Sequence, residues 1–503
     1  MPFISFRSTA TAAFALLAAQ TAQADIGAQE VWSNWQSYFD SSGFDVSATE
    51  VQSGNRLTLS DLVLTMPGVE GQNDAVIEME QVTFTENGDG TVGIDVPDVM
   101  PVQMQVVGEE GETADIDMEI RQSGLISTVS GVPTEMINAY SAQSVDLVLT
   151  GLTVDGETMG DDIASFILGI KDMAGSTKST VGGKRVFDQD MTASGVTFDF
   201  SFVDPEGSGD IKANGQMADV NFSGSSALPL AKMDAGDINA MLAAGMNGDG
   251  TFAYSAGASN MRVTENNVEA FSSATTSTGG TLDVAMSPEG LTYSGGQNNL
   301  KLAMTSPDLP VPLDIDMVKS SFNLTMPIQK SEEAEDFALG FSLNDFSMSE
   351  ALWGMFDPGA QLPRNPATIA LDLTGKAKVL VDMFATSPEV LTSAPAELET
   401  VDINKLQITV AGAELTGEGA FRFKNDAPGG MPQPIGVADL SLVGGNKLID
   451  TLVAMGLLPE DQAMGARMMM GLLAVPGDAP DTLNSQIEMN EQGHILANGQ
   501  RIQ

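Results

Sequence analysis

The sequence predicts a mainly β protein: a long antiparallel, strongly curled sheet, shaped as a groove, sandwich or solenoid, with a few peripheral helices. Two of those helices are expected near the C-terminus. Three observations lead there. Runs of period-two alternation recur nearly from end to end, roughly twenty strands in all, each with one apolar stripe. Only about six short helical stretches are available to cover those stripes. Apolar sheet surface of that extent is not tolerated in water, so the sheet must curl on itself or wrap an apolar partner.

The repeating unit is plainest at Val401–Lys424. Leu406, Ile408 and Val410 alternate with Gln407 and Thr409, Ala411-Gly412 breaks the run, and Phe421 and Phe423 then flank Arg422. Alternation interrupted by glycine reads as an antiparallel hairpin with one apolar and one polar face.

In chain order, the first element is a targeting segment. Arg7, the apolar run Thr9–Ala19 and the small-x-small site Ala22-Gln23-Ala24 read as a signal peptide over residues 1–24, cleaved before Asp25. The run is far short of the ~20 apolar residues that span a bilayer. A periplasmic or extracellular address is therefore expected, with no transmembrane span in the mature chain. Ala28–Phe39 puts Val31, Trp32, Trp35, Tyr38 and Phe39 on one helical face.

Strands follow at Leu57–Leu59, Leu62–Leu64 and Ile77–Met79. At Glu80-Gln81 the alternation changes phase before Val82 and Phe84, as a bulge would make it do. Asn87-Gly88-Asp89-Gly90 reads as a turn into Val92, Ile94 and Val96. Further strands centre on Met104, Met118 and Leu147. Gly160–Met173 is expected to be a helix capped by Asp161 and Asp162, ahead of the clean alternation Val196–Phe202.

Met233–Ala244, with Asp234 as its cap, reads as a helix joining two β-rich lobes, 25–232 and 233–503. Asn247-Gly248-Asp249-Gly250 repeats the earlier turn tetrapeptide. Separate strands are then expected around Val284, Leu302, Ile315, Leu324, Leu339 and Leu371, with a short helix at Ser349–Phe356. Helices at Asn446–Leu458 and Pro459–Leu473, the second with Pro459 at its first position, precede a final hairpin turning at Gly493.

Charge and residue types exclude several functions. Against 68 Asp+Glu stand 22 Lys+Arg, a net charge of −46. Such a chain is repelled by nucleic acid, and its acidic residues serve to keep a long sheet solvated. Cysteine is absent and His494 is the only histidine, so disulfides and His/Cys zinc sites cannot form. No Gly-x-Ser-x-Gly elbow occurs. Gly175–Arg185 fails the phosphate-loop pattern; gathering Lys178, Lys184 and Arg185 close to Lys171, it reads as a solvated loop, the alternative being contact with an anionic headgroup or an acidic neighbour of the same protein.

Asn87–Thr91 and Asn247–Thr251 lack the acidic twelfth ligand of a calcium loop. The neighbouring acids Glu109-Glu110, Asp161-Asp162 and Glu332-Glu333 lie on polar stretches. Met464, Met468, Met469 and Met470 read as flexible filler against the sheet, or as adaptable lining for lipid chains. No catalytic, cofactor-binding or metal-binding residue is named, and no cofactor is expected.

Trp32-x-x-Trp35, Gly43-Phe44-Asp45-Val46 and Leu57–Asp61, together with Ser144–Gly156 and the tail Leu448–Gln503, resemble the alphaproteobacterial "domain of unknown function 2125" proteins over most of the mature chain. More distantly, the targeted N-terminus, many amphipathic strands and helical tail look like the AsmA-type envelope proteins. That likeness implies a long curled sheet with an apolar groove for lipid. The first expectation is thus an exported, non-enzymatic envelope protein that holds or transfers lipid or another apolar ligand, its partner being lipid or another envelope component. The alternatives are a structural or adhesive component with a closed β core, and a carboxylate-based hydrolase.

Overall fold

The computed structural model describes residues 25–66, 75–108, 112–160, 162–205, 207–233, 237–384, 394–425 and 432–503. The expected signal peptide, Glu109, Glu110, Asp161 and Asp234 lie outside them. The chain is 64% strand and 11% helix.

Helix α1 (Ala28–Ser41) opens the chain, followed by β1 (Asp45–Ser53), β2 (Arg56–Met66) and β3 (Ala75–Glu86). Next come β4 (Val92–Asp95), β5 (Val99–Val107), β6 (Thr113–Ser123), β7 (Ile126–Val132), β8 (Glu135–Val154) and β9 (Glu157–Met159). Three long strands, β10 (Ala164–Val181), β11 (Arg185–Val203) and β12 (Asp210–Leu228), lead to α2 (Ile238–Ala243). Then follow β13 (Asn247–Tyr254), β14 (Ala256–Glu265), β15 (Val268–Ser277), β16 (Gly280–Ser287), β17 (Gly290–Thr305), β18 (Leu313–Met326) and β19 (Glu335–Met348).

Beyond α3 (Glu350–Phe356) lie β20 (Ala367–Val379), β21 (Ala396–Val410), β22 (Ala413–Lys424) and β23 (Gln433–Val443). The tail holds α4 (Gly445–Ala454), α5 (Glu460–Leu473), β24 (Val475–Pro476), β25 (Thr482–Met489), β26 (Ile495–Ala497) and β27 (Gln500–Arg501).

All strands belong to one antiparallel sheet, laid down almost as a plain meander. β4 and β5 pair with two halves of β3, and β7 and β6 with two halves of β8. Likewise β13 and β14 divide the partner surface of β12, and β16 and β15 that of β17. Each such pair acts as one long strand broken at its middle. Pairing runs past residue 232 without interruption, since β12 bonds both β13 and β14. Among the described residues β1 pairs with β2 alone, so this edge of the sheet is unpaired.

The middle of the sheet is a crease. Asp61, Asp172, Asp219, Asn299 and Asp345 adopt φ of 47–51° inside β2, β10, β12, β17 and β19. Asp and Asn tolerate this left-handed conformation better than other side-chain-bearing residues. A Ser or Thr of the adjoining strand or strand break holds several of them: Ser194 Oγ donates to Asp172 Oδ2 at 2.8 Å, Ser255 Oγ to Asp219 Oδ2 at 2.7 Å, and Asn299 Nδ2 donates to Thr278 Oγ1 at 2.8 Å.

Across the crease the alternation slips by one residue. In β11 the apolar positions run Phe187, Met191, Ala193, then Val196, Phe198, Phe200. The slip re-aims the second half of each strand, as a bulge does, so both halves turn their apolar side to the same hollow. The phase change read at Glu80-Gln81 is one instance of this feature.

Several sequence expectations are corrected. Gly160–Met173 is not a helix: residues 164–181 form β10, because β8 and β11 supply ladders on both sides. Gly175–Arg185 is not a loop but the β10–β11 hairpin. Asn247–Gly250 is not a turn. It begins β13, where a side chain on Gly250 would come within 3.1 Å of the Phe222 ring lying across it. Leu313–Met326 is one strand with a crease rather than two strands. Asp237 caps α2 by accepting from Ala240 N. Pro459 stands just before α5 as its N-cap rather than at its first position.

Two buried or capping aspartates set the acid response. Asp357 follows α3 and accepts from Gln361 N and Leu362 N, each at 2.9 Å, and from Arg364. Asp481 accepts from Asn446 N and Lys447 N at the start of α4. Burial pushes both carboxyls up, but the amide donors outweigh it and hold both below the ordinary aspartate range. Groups depressed in the folded state contribute stability above their unfolded pKa and lose it as pH falls through the folded one. Melting temperature should therefore fall once pH drops below about 4. In Asp357→Asn and Asp481→Asn it should start lower and fall less steeply; an unchanged acid limb in both variants would contradict the assignment.

Candidate functional site

Direct partners in an antiparallel sheet share a face, so registers define what lines the hollow. One unbroken file starts at Leu57, Phe84 and Ile94, then passes Ser127, Tyr140 and Gly175. It continues through Met191, Phe222, Phe252, Leu282 and Gly295. Phe322, Phe341, Leu371, Leu406, Gly417, Leu440 and Ser485 complete it. At about 4.8 Å per strand this file runs on the order of 80 Å along the curved sheet. It contains no charged residue. A second file two residues away, from Val92 through Tyr293, Leu339 and Leu373 to Ile487, contains none either.

The opposite face carries the charge. Lys178 faces Asp188, Lys301 pairs with Asp316 at 3.5 Å, and Lys376 with Asp336 at 2.8 Å. A strongly acidic chain has thus kept these two files free of charge.

This inner face is not filled. Phe322, Leu339 and Phe341 are 36%, 45% and 46% exposed, and Tyr293, Ile369 and Ile408 are similar. A hollow of about 440 Å³ is lined by Phe252, Tyr254, Leu282, Phe322 and Phe341. An adjoining one of about 170 Å³ joins Val196, Phe198 and Met217 from the other side of the crease to Tyr254 and Gln297. Both halves therefore line one trough. Its polar groups stay neutral: Tyr254 Oη meets Ser277 Oγ at 3.0 Å, and burial pushes the Tyr140 phenol up.

Helix α1 closes one end. Its apolar face folds onto the only tightly packed apolar cluster among the described residues, with Val31, Trp32, Leu57, Leu59, Val82 and Phe84 almost wholly buried. Trp35 meets the Phe84 ring edge-on at 5.3 Å, Tyr38 meets Phe187 at 5.2 Å, and Trp32 Nε1 donates to Glu50 Oε1 at 2.7 Å. At the far end α4 and α5 flank β22 and β25. Met464, Met468 and Met469 are exposed on α5, Met468 by 73%, so they do not fill space against the sheet.

The residues weighed from sequence are scattered. His494 sits in the connection between β25 and β26, where its backbone N–H donates to Asn490 Oδ1. Glu332 pairs with Lys378 on the surface. Lys171 and Lys178 stand on the face opposite the uncharged files, and Lys184 donates to Gly245 O. Arg185 alone is buried, beneath α1, a position that a solvated-loop reading could not anticipate. Among the described residues, no three His, Asp or Glu side chains gather as a metal site would need, and no helix is long and apolar enough to cross a membrane.

The C-terminal half, residues 246–491, matches a family model described as "Uncharacterized protein conserved in bacteria (DUF2125)". The match starts beside β13 and ends just after β25. It takes in most of the quoted tail but neither α1 nor Ser144–Gly156. No curated protein matches the chain.

Proposed function

Through residues 246–491 this chain belongs to the DUF2125 family of uncharacterized bacterial proteins, and from that premise we propose a non-enzymatic holder of lipid. Its cargo is the hydrocarbon chain of a lipid-like molecule, laid along the trough. The observation that supports this is the pair of uncharged files running along one face of the sheet, with apolar side chains such as Leu339 and Phe341 left partly exposed. Acid–base or nucleophilic chemistry needs titratable groups converging on the substrate, and the titratable groups in these files are tyrosines spread along the sheet, Tyr140 and Tyr293 among them.

The energetics suffice without chemistry. Each buried methylene contributes about 0.8 kcal/mol, so a sixteen-carbon chain covered on one side gains on the order of 6 kcal/mol. The N-terminal segment 1–24 supports a place in the cell envelope, where such cargo must cross water. The AsmA-type likeness of the sequence points the same way.

Native mass spectrometry of protein purified without detergent tests the proposal. Co-purified lipid, released on denaturation and re-bound by stripped protein, is the expected result. Recovery of ligand-free protein that takes up no fluorescent fatty acid or diacylglycerol would overturn it.

A further inference from the structure

The closed end of the trough holds a guanidinium with no counter-ion. Arg185 is 1% exposed, yet every hydrogen-bond acceptor around it is neutral. Nη1 donates to Asn34 Oδ1 at 2.7 Å and to Ser179 Oγ at 3.4 Å, and Nη2 donates to Ser37 Oγ at 3.2 Å. Nε has no partner. The Phe187 ring lies 6.0 Å away. Among the described residues no carboxylate reaches ion-pair distance of it, in a chain with 68 acidic side chains. A buried charge without an opposite charge is strongly disfavoured, and burial lowers the pKa of this guanidinium, although arginine keeps its proton in proteins.

Arg185 also adjoins space. A cavity of about 340 Å³ lies between α1 and the sheet, lined by Asn34 and Ser179, which bind the guanidinium, and by Tyr38, Thr177, Gln189 and Ser226. Val31, Trp35, Phe39, Val129, Met136 and Leu228 are among its apolar lining, so the hollow continues the apolar trough; Arg185 does not line it, and Asn34 and Ser179 stand between the cavity and the guanidinium.

The geometry points to a head-group site: the cavity under α1 takes the anionic end, phosphate or carboxylate, of an amphiphile whose chain lies in the trough. The anion replaces a neutral acceptor such as Asn34 Oδ1 on Arg185 and is bonded by the surrounding hydroxyls and amides. Guanidinium binds either oxyanion through paired N–H groups. This rests on the lipid-holding reading of the trough, and it makes that site selective for anionic cargo.

Four probes test it, in matched pairs: oleate against oleyl alcohol, and dioleoylphosphatidate against dioleoylglycerol. Wild-type protein should bind each anionic member at least tenfold tighter than its neutral partner, and the stronger pair identifies the head group. Asn34→Asp places a carboxylate on the guanidinium with no change of shape. It should bring each ratio within twofold. Arg185→Gln should do the same, while Asn34→Asp guards against loss of α1 as the cause.

A ratio near one in wild type, or a ratio that survives Asn34→Asp, overturns the head-group site while leaving the trough reading intact. Failure of all four probes overturns the trough reading instead. In that event inorganic phosphate decides: a rise in melting temperature for wild type but not Asn34→Asp upholds the anion site, and no rise in either removes it.

Discussion

Phe341→Asp abolishes binding of apolar ligands while leaving the sheet folded. Phe341 stands mid-trough between Phe322 and Leu371 in the inner file and is 46% exposed. Replacing it removes only a partly buried ring, which should cost about 1–2 kcal/mol of stability. Its effect on cargo is larger. A carboxylate covered by a hydrocarbon chain loses its water without gaining a partner, a penalty of several kcal/mol. Displacement of a fluorescent fatty acid should show at least a hundredfold loss of affinity. Asn323→Asp is the control, since Asn323 neighbours Phe322 on β18 but lies on the opposite face of the sheet. It adds the same charge with no change of shape, and affinity should stay within about twofold. Equal loss in both variants would mean that overall charge, not the trough, governs binding.

The second large effect is on stability. Trp32→Ala should cost about 3–5 kcal/mol, the range for deleting a buried aromatic side chain. Trp32 is 1% exposed, sits 6.3 Å from the Phe84 ring and is the donor to Glu50. Urea unfolding at neutral pH measures the change. Met468→Ala provides the contrast: 73% exposed on α5, it should shift stability by less than about 0.5 kcal/mol. A loss below about 1 kcal/mol for Trp32→Ala would show that α1 does not hold the closed end.

How much could be read in advance varies by element. Alternation placed the strands because a half-buried strand must repeat every two residues, and runs such as Val196–Phe202 leave little choice. The amphipathic face of α1, with Trp32 and Trp35, was equally open to reading. The crease was visible only at Glu80-Gln81. In β18 the same slip, between Met317 and Ser320, mimics the gap between two strands. Gly160–Met173 went wrong because its acidic start resembles a helix cap, whereas its state is decided by β8 and β11 on either side. Arg185 offered no signal of its own: its burial depends on a helix that begins some 150 residues earlier in the chain.

By itself the sequence determined that this protein is a mainly antiparallel β structure with more apolar strand surface than its helices can cover, and that its charges belong on the other face. Those are consequences of local periodicity and composition. Tertiary structure alone decided that the surplus surface lines an open trough, that a row of left-handed Asp and Asn residues folds the sheet along its middle, and that α1 seals one end over an unpaired arginine. Each of these depends on which strands become neighbours and in what register, and contacts between distant parts of a chain leave no periodic trace in either partner.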